Sequence, residues 1–248
     1  MRIARAAVIT LVAFATTVAS AQELVVSAAA SLTDAFRVIG KDFEAAHPGV
    51  TVLFNFASSD VLVTQIAKGA PADVFASADQ EAMNRGVIAD AIVTATRRAF
   101  AANQLVLAVA RSAQAPATLA DLSAPRFRRI ALGSLQTVPA GRYAKEALER
   151  AGLWTALEAR FVFAQNVRQV LDYVAREEAE AGFVYATDAA IMADKVKVAF
   201  DVATATPVRY PIAVVKDSKR APLAEAFVLY VVGGAAQQVL RRYGFRAP

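Results

Sequence analysis

Short apolar runs alternate along the chain with longer segments in which apolar residues recur every three or four positions. Such runs are typical of buried strands, and a spacing near 3.6 residues is typical of helices packed on one face. The pattern predicts strands at 24–27, 51–56, 73–77, 105–110, 130–132, 161–163, 183–185, 196–200 and 208–215. It predicts helices at 31–47, 61–68, 79–85, 141–150, 167–178, 188–193, 223–232 and 235–242. Because most strands are followed by a helix, we expect an α/β fold with mostly parallel sheets.

The predicted elements form two units that are connected twice. We expect residues 22–103 and 208–248 to form domain I and residues 104–207 to form domain II, joined by strands near 102–106 and 204–209. Ligand pockets in such proteins lie between the domains, which close around the ligand by hinge motion. Pro211, inside the strand at 208–215, predicts an edge strand or a crossover, because proline cannot donate to a sheet ladder.

The N-terminal residues have the pattern of an export signal. Arg2 and Arg5 precede an apolar run at 6–18, and Ala19-Ser20-Ala21 has the small residues of a cleavage site. We therefore expect a signal peptide at 1–21 and a mature chain that begins at Gln22. The apolar run is too short for a membrane span. Because the chain has no cysteine, it has no lipid-attachment site and no disulfide framework, and we expect a periplasmic location.

Composition excludes several classes of function. The formal net charge is only +5 and the basic residues are scattered, so we expect no nucleic-acid partner. One histidine and no cysteine leave almost no ligands for a transition-metal cation, and we expect no cofactor.

Four small polar segments each follow a predicted strand and open a predicted helix; they lie at 28–33, 56–59, 138–141 and 165–168. Helix N-termini carry free N–H groups and partial positive charge, and the carboxyl ends of strands are where open α/β sheets bind ligands. Converging on one point, they would bind a tetrahedral oxyanion without a charged side chain. Alternatively, these residues only cap their helices: Ser31 with Asp34, and Asn166 with Gln169, have capping-box spacing.

Seven motifs span the mature chain: A-A-A-S-L-T at 28–33, F-A-S-S at 56–59, G-A-P-A-D-V-F-A-S-A-D at 69–79, V-P-A-G-R-Y-A-K-E-A-L at 138–148, G-F-V-Y at 182–185, R-Y-P-I-A-V-V at 209–215 and R-R-Y-G-F at 241–245. In these motifs the chain resembles the periplasmic molybdate-binding proteins of ABC importers. The resemblance implies a type II periplasmic-binding-protein fold, in which a two-strand hinge joins two α/β domains and the anion lies between them.

The resemblance also implies what the protein binds and through which groups. The expected ligand is molybdate, and also tungstate, with molybdenum held only as the oxyanion through its oxygens. The expected partner is the membrane permease of an ABC importer, and we expect a monomer. The implied ligand contacts are neutral donors: the hydroxyl and N–H groups of Ser31 and Ser59, the N–H groups of Ala140 and Val167, and the phenol of Tyr185.

Two positions depart from the family pattern. Asp60 follows Ser59 where the family usually has a small residue, and G-S-L-Q-T at 133–137 replaces the more usual G-D/N-P. A carboxylate facing the ligand would repel a dianion and favour hydrogen phosphate. We expect Asp60 instead to point to solvent in the first turn of its helix, where the dipole favours a carboxylate.

Three other functions remain as alternatives. The first is a receptor for another tetrahedral oxyanion, such as sulfate or phosphate. The second is a serine hydrolase, which is disfavoured because His47 is far in sequence from the candidate serines and no G-x-S-x-G motif occurs. The third is a regulatory module of the same fold, which would normally be fused to a DNA-binding segment rather than to an export signal.

Overall fold

The computed structural model describes residues 22–248, and the expected signal peptide at 1–21 lies outside them. Within residues 22–248, ten strands form two sheets of five. The strands are β1 (Gln22–Ala29), β2 (Val50–Ala57), β3 (Val74–Ala76), β4 (Arg98–Asn103), β5 (Leu105–Ala110), β6 (Ile130–Gly133), β7 (Phe161–Ala164), β8 (Ala181–Tyr185), β9 (Val196–Asp201) and β10 (Val208–Val214). The α-helices are α1 (Thr33–Ala46), α2 (Ser59–Ala67), α3 (Gln80–Ile88), α4 (Pro139–Arg150), α5 (Trp154–Leu157), α6 (Val167–Ala175), α7 (Ala186–Ile191), α8 (Ala221–Val232) and α9 (Gly234–Arg242).

The first sheet has the strand order β2-β1-β3-β10-β4 and the second has the order β7-β6-β8-β5-β9. Helices α1–α3 and α8 pack on the first sheet, and α9 packs on α1 and α8. Helices α4, α6 and α7 pack on the second sheet, and α5 packs on α4. We call each sheet with its helices a lobe. The chain passes between the lobes where β4 leads into β5 and where β9 leads to β10. The α/β fold class is confirmed.

Both sheets are mixed, whereas the sequence predicts mostly parallel sheets. In the first lobe β1 is parallel to β2 and β3, but β10 is antiparallel to β3 and β4. In the second lobe β6 is parallel to β7 and β8, but β5 is antiparallel to β8 and β9. The antiparallel pairings involve the strands at which the chain changes lobes. Neighbouring parallel strands need a long crossover connection, usually a helix, whereas a strand that arrives from the other lobe does not.

Of the two alternatives predicted from Pro211, the structure has the crossover, because the chain passes from the second lobe to the first as it enters β10. Strand β10 is not at an edge but lies between β3 and β4. The register between β10 and β4 shifts between Tyr210 and Pro211. The sheet therefore accommodates the missing N–H group at an irregularity, which is the other position where strands tolerate proline.

The cores of both lobes are apolar and continuous with each other. Buried side chains of α1, α8 and the first sheet include Phe36, Phe43, Phe100 and Phe227, and these rings pack mostly edge to face. In the described part of the chain, no single helix is long and apolar enough to cross a membrane. The pair α8 and α9 passes that test only together, across a bend of 57°.

Candidate functional site

The five residues implied as ligand contacts line one small cavity between the lobes. Ser31 and Ser59 come from the first lobe; Ala140, Val167 and Tyr185 come from the second. None of the five is more than 4% exposed. The cavity is also lined by Ala29, Ala30, Ser58, Ala78, Val138, Pro139 and Asn166. Within this lining, which is drawn from residues 22–248, no side chain is charged.

The cavity forms where the parallel strands end. These strands end at Ala29, Ala57, Gly133, Ala164 and Tyr185. Each is followed closely by a helical turn, and the carboxyl ends of parallel strands face the same edge of a sheet. The two lobes present these edges to each other, so the four small polar segments converge on one point.

Three α-helices begin at the cavity. Helix α2 begins at Ser59, α4 at Pro139 and α6 at Val167. N–H groups in a first helical turn have no acceptor inside their own helix, and the helix dipole makes this end partly positive. The N–H groups of Ala140 and Val167 therefore suit an anion.

Gly141 allows the N-terminus of α4 to approach the end of β6. A Cβ atom at this position would lie 2.1 Å from the backbone oxygen of Gly133. Only glycine permits such a close approach without moving the helix. The divergent loop before α4 still forms a turn, in which the Val138 N–H donates to Ser134 O at 2.9 Å.

Two of the cavity hydroxyls are held by other protein groups. Ser31 Oγ lies 3.0 Å from Tyr210 Oη, and Ser59 Oγ accepts a hydrogen bond from the Ala78 N–H at 3.0 Å. The capping interpretation is wrong for Ser31, which lies inside a 3₁₀ turn (Ala30–Leu32) before α1. It is correct for Asn166, whose side chain accepts from the Gln169 N–H at 3.0 Å.

Two further cavity hydroxyls are buried without a hydrogen-bond partner among residues 22–248. They belong to Tyr185, which is 1% exposed, and to Ser58, which is 4% exposed. Ser58 occupies the N-cap position of α2 but makes no capping hydrogen bond through its side chain. A buried hydroxyl without a partner is costly, so both groups suit a ligand that accepts hydrogen bonds.

Burial also fixes the protonation of the tyrosine. Tyr185 is fully buried, and burial raises the pKa of its phenol well above the ordinary value of 10.0. The phenol therefore keeps its proton at neutral pH and can act as a donor.

The expectation that Asp60 points to solvent is wrong. Its side chain is 3% exposed and lies between two guanidinium groups, at 2.9 Å from Arg85 and 2.7 Å from Arg142. Arg85 belongs to the same lobe, whereas Arg142 belongs to α4 of the other lobe. Burial raises the pKa of Asp60, and the charges of Arg142 and Arg85 oppose that shift. The carboxylate is thus neutralised by arginines and does not line the cavity.

Arg142 binds further carboxylates of the first lobe. Its Nη2 lies 2.5 Å from Asp79 Oδ2 and its Nε lies 3.2 Å from Glu81 Oε2. Asp79 also caps α3 by accepting from the Ala82 N–H at 3.0 Å. We call Asp60, Asp79, Glu81, Arg85 and Arg142 the Arg142 cluster.

A second arginine connects the lobes on the other side of the cavity. Arg168 Nη2 lies 2.7 Å from Asp34 Oδ2 of α1 and 3.4 Å from the backbone oxygen of Ser31. Its Nε lies 2.6 Å from Asp188 Oδ1, whose side chain is fully buried in the second lobe. Burial alone would lower the pKa of Arg168, but Asp188 and Asp34 raise it.

Sequence reasoning placed Ser58 and Arg168 in the converging segments 56–59 and 165–168 but proposed neither as a ligand contact, and it gave Arg142 no role. A signal for the two arginines is present, because each lies in the first turn of a helix, where the dipole disfavours a cation. A cation there indicates an acidic partner outside the helix.

Comparison with known proteins agrees with this geometry. Residues 24–246 match the family of bacterial extracellular solute-binding proteins. The molybdate-binding protein ModA of Escherichia coli (strain K12) is 38% identical over 229 residues, which are 90% of this chain and 88% of that protein. ModA of Haemophilus influenzae (strain ATCC 51907 / DSM 11121 / KW20 / Rd) is 37% identical over 234 residues, or 92% of each chain.

A solved structure shares the whole architecture. The periplasmic molybdate-binding protein of Azotobacter vinelandii has a TM-score of 0.80 and 25% identity, covering 91% of this chain and 99% of that chain. The predicted type II periplasmic-binding-protein fold and the family resemblance are confirmed. These relatives bind solutes and are not enzymes, so the hydrolase alternative does not apply. The chain belongs to the family of bacterial extracellular solute-binding proteins.

Proposed function

We propose that this protein is the periplasmic receptor of an ABC importer and that it binds molybdate, and also tungstate, in the cavity between the lobes. The names of its relatives support the ligand, since two proteins at 37% and 38% identity are molybdate-binding proteins. In this proposal the signal peptide at 1–21 is removed and the mature chain is a monomer. Residues 22–103 with 208–248 form domain I, and residues 104–207 form domain II.

The observation that carries the proposal is the buried phenol of Tyr185. It lines the cavity, keeps its proton and has no protein partner in the described range 22–248. The Ser58 hydroxyl lines the same cavity and also has no protein partner in that range. Two buried donors directed to one small space favour a ligand that is rich in acceptors.

The remaining donors surround that ligand with neutral groups. We propose hydroxyl and N–H contacts from Ser31 and Ser59, N–H contacts from Ala140 and Val167, and hydroxyl contacts from Tyr185 and Ser58. A fully deprotonated tetrahedral oxyanion has acceptors on all four oxygens and no proton to donate, so it matches this set. The positive ends of α2, α4 and α6 supply the counter-charge. Molybdenum is bound only within the oxyanion, and no cofactor takes part.

Selectivity follows from what the donors require. Hydrogen phosphate carries a hydroxyl that needs an acceptor, and the carboxylate of Asp60 is committed to arginines rather than to the cavity. Sulfate is smaller than molybdate, so it would leave some fixed donors unpaired. Both effects favour molybdate and tungstate over the commoner oxyanions.

The arginine pairs between the lobes support delivery to a permease. Arg142 and Arg168 each reach from the second lobe to carboxylates of the first. Residues next to the ligand contacts thereby hold the lobes together, so that lobe closure accompanies binding. A permease can then recognise the closed form.

The test is a thermal-shift series on the purified protein with molybdate, tungstate, sulfate and phosphate at equal concentration. A ligand that binds only the folded state raises the melting temperature. We expect a large rise with molybdate and tungstate alone, a smaller rise for Tyr185→Phe, and a wild-type rise for Tyr173→Phe, a tyrosine of α6 outside the cavity lining. A rise with sulfate or phosphate instead, or no rise with any anion, would contradict the proposal.

A further inference from the structure

A chain of buried polar groups lies directly behind Ser31. Ser31 Oγ is 3.0 Å from Tyr210 Oη, which is 3.3 Å from Asn103 Nδ2. Asn103 Nδ2 also donates to Thr187 Oγ1 at 2.8 Å. All four side chains are buried. Tyr210 and Asn103 lie on β10 and β4, the strands that adjoin the two passages between the lobes.

The direction of each hydrogen bond in this chain follows from elementary chemistry. The Gln104 N–H can only donate, and it bonds Asn103 Oδ1 at 2.9 Å. The amide orientation of Asn103 is thereby fixed, and its Nδ2 group must donate to Tyr210. The Tyr210 oxygen is thus an acceptor in that bond, and its own proton is free for another partner.

The proton of Tyr210 has one acceptor available in the described part of the chain. Burial raises the pKa of Tyr210 well above 10.0, so the phenol stays protonated. Its second hydrogen-bond neighbour is Ser31 Oγ. Tyr210 therefore donates to Ser31, and the hydroxyl proton of Ser31 is left to point elsewhere, toward the cavity that Ser31 lines.

We propose that Asn103 and Tyr210 are positioning residues that hold the Ser31 hydroxyl as a donor toward the bound oxyanion. This inference rests on the proposed function of the cavity. A freely rotating serine hydroxyl can donate or accept, and it could accept the proton of hydrogen phosphate. With Tyr210 donating to it, Ser31 offers the ligand a proton, which favours an anion that carries none.

The experiment is calorimetric titration of the wild type and of Tyr210→Phe with molybdate and, separately, with inorganic phosphate at pH 7. We expect Tyr210→Phe to lower molybdate affinity about tenfold. Phosphate affinity should stay the same or rise, because Ser31 can then turn and accept. A purely structural role would weaken both anions equally. Tyr173→Phe, a tyrosine of α6 outside the cavity lining, is the control and should leave both affinities unchanged.

A double-mutant cycle tests whether Tyr210 acts through Ser31. Adding Tyr210→Phe to Ser31→Ala should cost no further molybdate affinity, since the hydroxyl being oriented is already absent. Asn103→Asp provides a second route: it replaces the donating amide by an acceptor, so it should also lower the ratio of molybdate to phosphate affinity.

Two results would overturn the inference while the wild type still binds molybdate. One is an unchanged ratio of molybdate to phosphate affinity in Tyr210→Phe, and the other is full additivity in the cycle. Absence of molybdate binding by the wild type would instead contradict the proposed function itself.

Discussion

The cavity and the Arg142 cluster share helices α2 and α4 but have opposite chemistry. Ser59 and Ala140 line the cavity, whereas Asp60 and Arg142, one and two residues further along, form a charged pair between the lobes. On α6, Val167 lines the cavity and the next residue, Arg168, reaches the other lobe. In the proposed function, the N–H groups of Ser59, Ala140 and Val167 are left for the anion, while the side chains that follow them pair with the other lobe.

This division explains how charged residues can lie beside an anion site without changing it. An arginine in the cavity would bind any anion strongly, and a carboxylate would repel every dianion. Paired with each other, Asp60 and Arg142 largely cancel at a distance. Under the proposed function, selectivity then depends on hydrogen-bond geometry, and closure of the lobes depends on ion pairs. Variants that remove a hydrogen-bond donor of the cavity should therefore have different effects from variants that remove an ion pair between the lobes.

The largest effect is expected from Arg142→Met. It leaves the buried carboxylates of Asp60 and Asp79 without their partner from the other lobe. Removing one member of a buried pair costs about 3 kcal/mol. Since the pair joins the lobes, we expect this cost mainly in closure, as a loss of molybdate affinity of about a hundredfold. Calorimetry measures the affinity, and small-angle scattering measures lobe closure.

The control for this variant is Lys145→Met on the same helix. Lys145 forms an exposed pair with Glu149 at 3.5 Å within α4, and such pairs contribute little. Wild-type affinity in Arg142→Met, together with an unchanged scattering profile, would show that the Arg142 cluster does not hold the lobes closed.

The next effect separates the two serines at the start of α2. Ser59→Ala should weaken molybdate binding by about 1–3 kcal/mol and also lower the melting temperature of the ligand-free protein, because the Ala78 N–H loses its acceptor. Ser58→Ala should weaken binding without lowering that temperature, since the Ser58 hydroxyl has no partner to lose among residues 22–248.

Melting curves with and without molybdate distinguish the two serines. If Ser58→Ala retains the full molybdate shift, the Ser58 hydroxyl is not a ligand contact. If Ser59→Ala leaves the ligand-free melting temperature unchanged, its bond to Ala78 contributes nothing to stability.

The convergence of the site was predictable because it depends on local signals. A strand followed at once by a helix start places that start at the sheet edge, and this holds for Ser31, Ser59 and Val167 whatever the rest of the chain does. The fold class followed from the same alternation. The choice between Ser58 and Ser59 as donors could not be made in this way, because it depends on which hydroxyl another segment satisfies.

What the sequence did not predict depends on distant partners. The partner of Asp60 is 82 residues away, on another lobe, so the local rule for a first-turn carboxylate failed. Strand β10 lies inside its sheet because β4 pairs with it, and β4 has a weak strand pattern, R-A-F-A-A-N. Strand order is a long-range property, and the antiparallel pairing followed from it.

A pH series tests whether burial or the charges of the neighbouring arginines have the larger effect on the pKa of Asp60. Burial raises the pKa of Asp60 above its ordinary value of 3.8, so ionising Asp60 costs more in the folded state than in the unfolded state. The stabilising contribution of this group is therefore complete below about pH 3.8 and is lost as the pH rises through the raised pKa. We expect the wild type to lose stability relative to Asp60→Asn over that range.

Urea unfolding of both proteins between pH 3 and pH 7 provides the measurement. The opposite slope, with the wild type gaining relative stability as the pH rises, would mean that Arg142 and Arg85 outweigh burial. The cluster would then stabilise the fold, rather than chiefly fix how the lobes meet.

The smallest effect is expected at the exposed edge of the Arg142 cluster. Glu81 binds Arg142 at 3.2 Å and Arg85 at 2.5 Å, but its side chain is 53% exposed, compared with 3% for Asp60. Exposed pairs are weak and screened, so Glu81→Gln should change molybdate affinity by about 0.5 kcal/mol or less. That small difference should disappear in 1 M salt, where the screening length falls to about 3 Å. The effect of Arg142→Met should persist there, because its partners are buried. Equal salt sensitivity in the two variants would mean that water reaches the whole Arg142 cluster. The pair of Arg142 with Asp60 would then be no better shielded from solvent than its pair with Glu81.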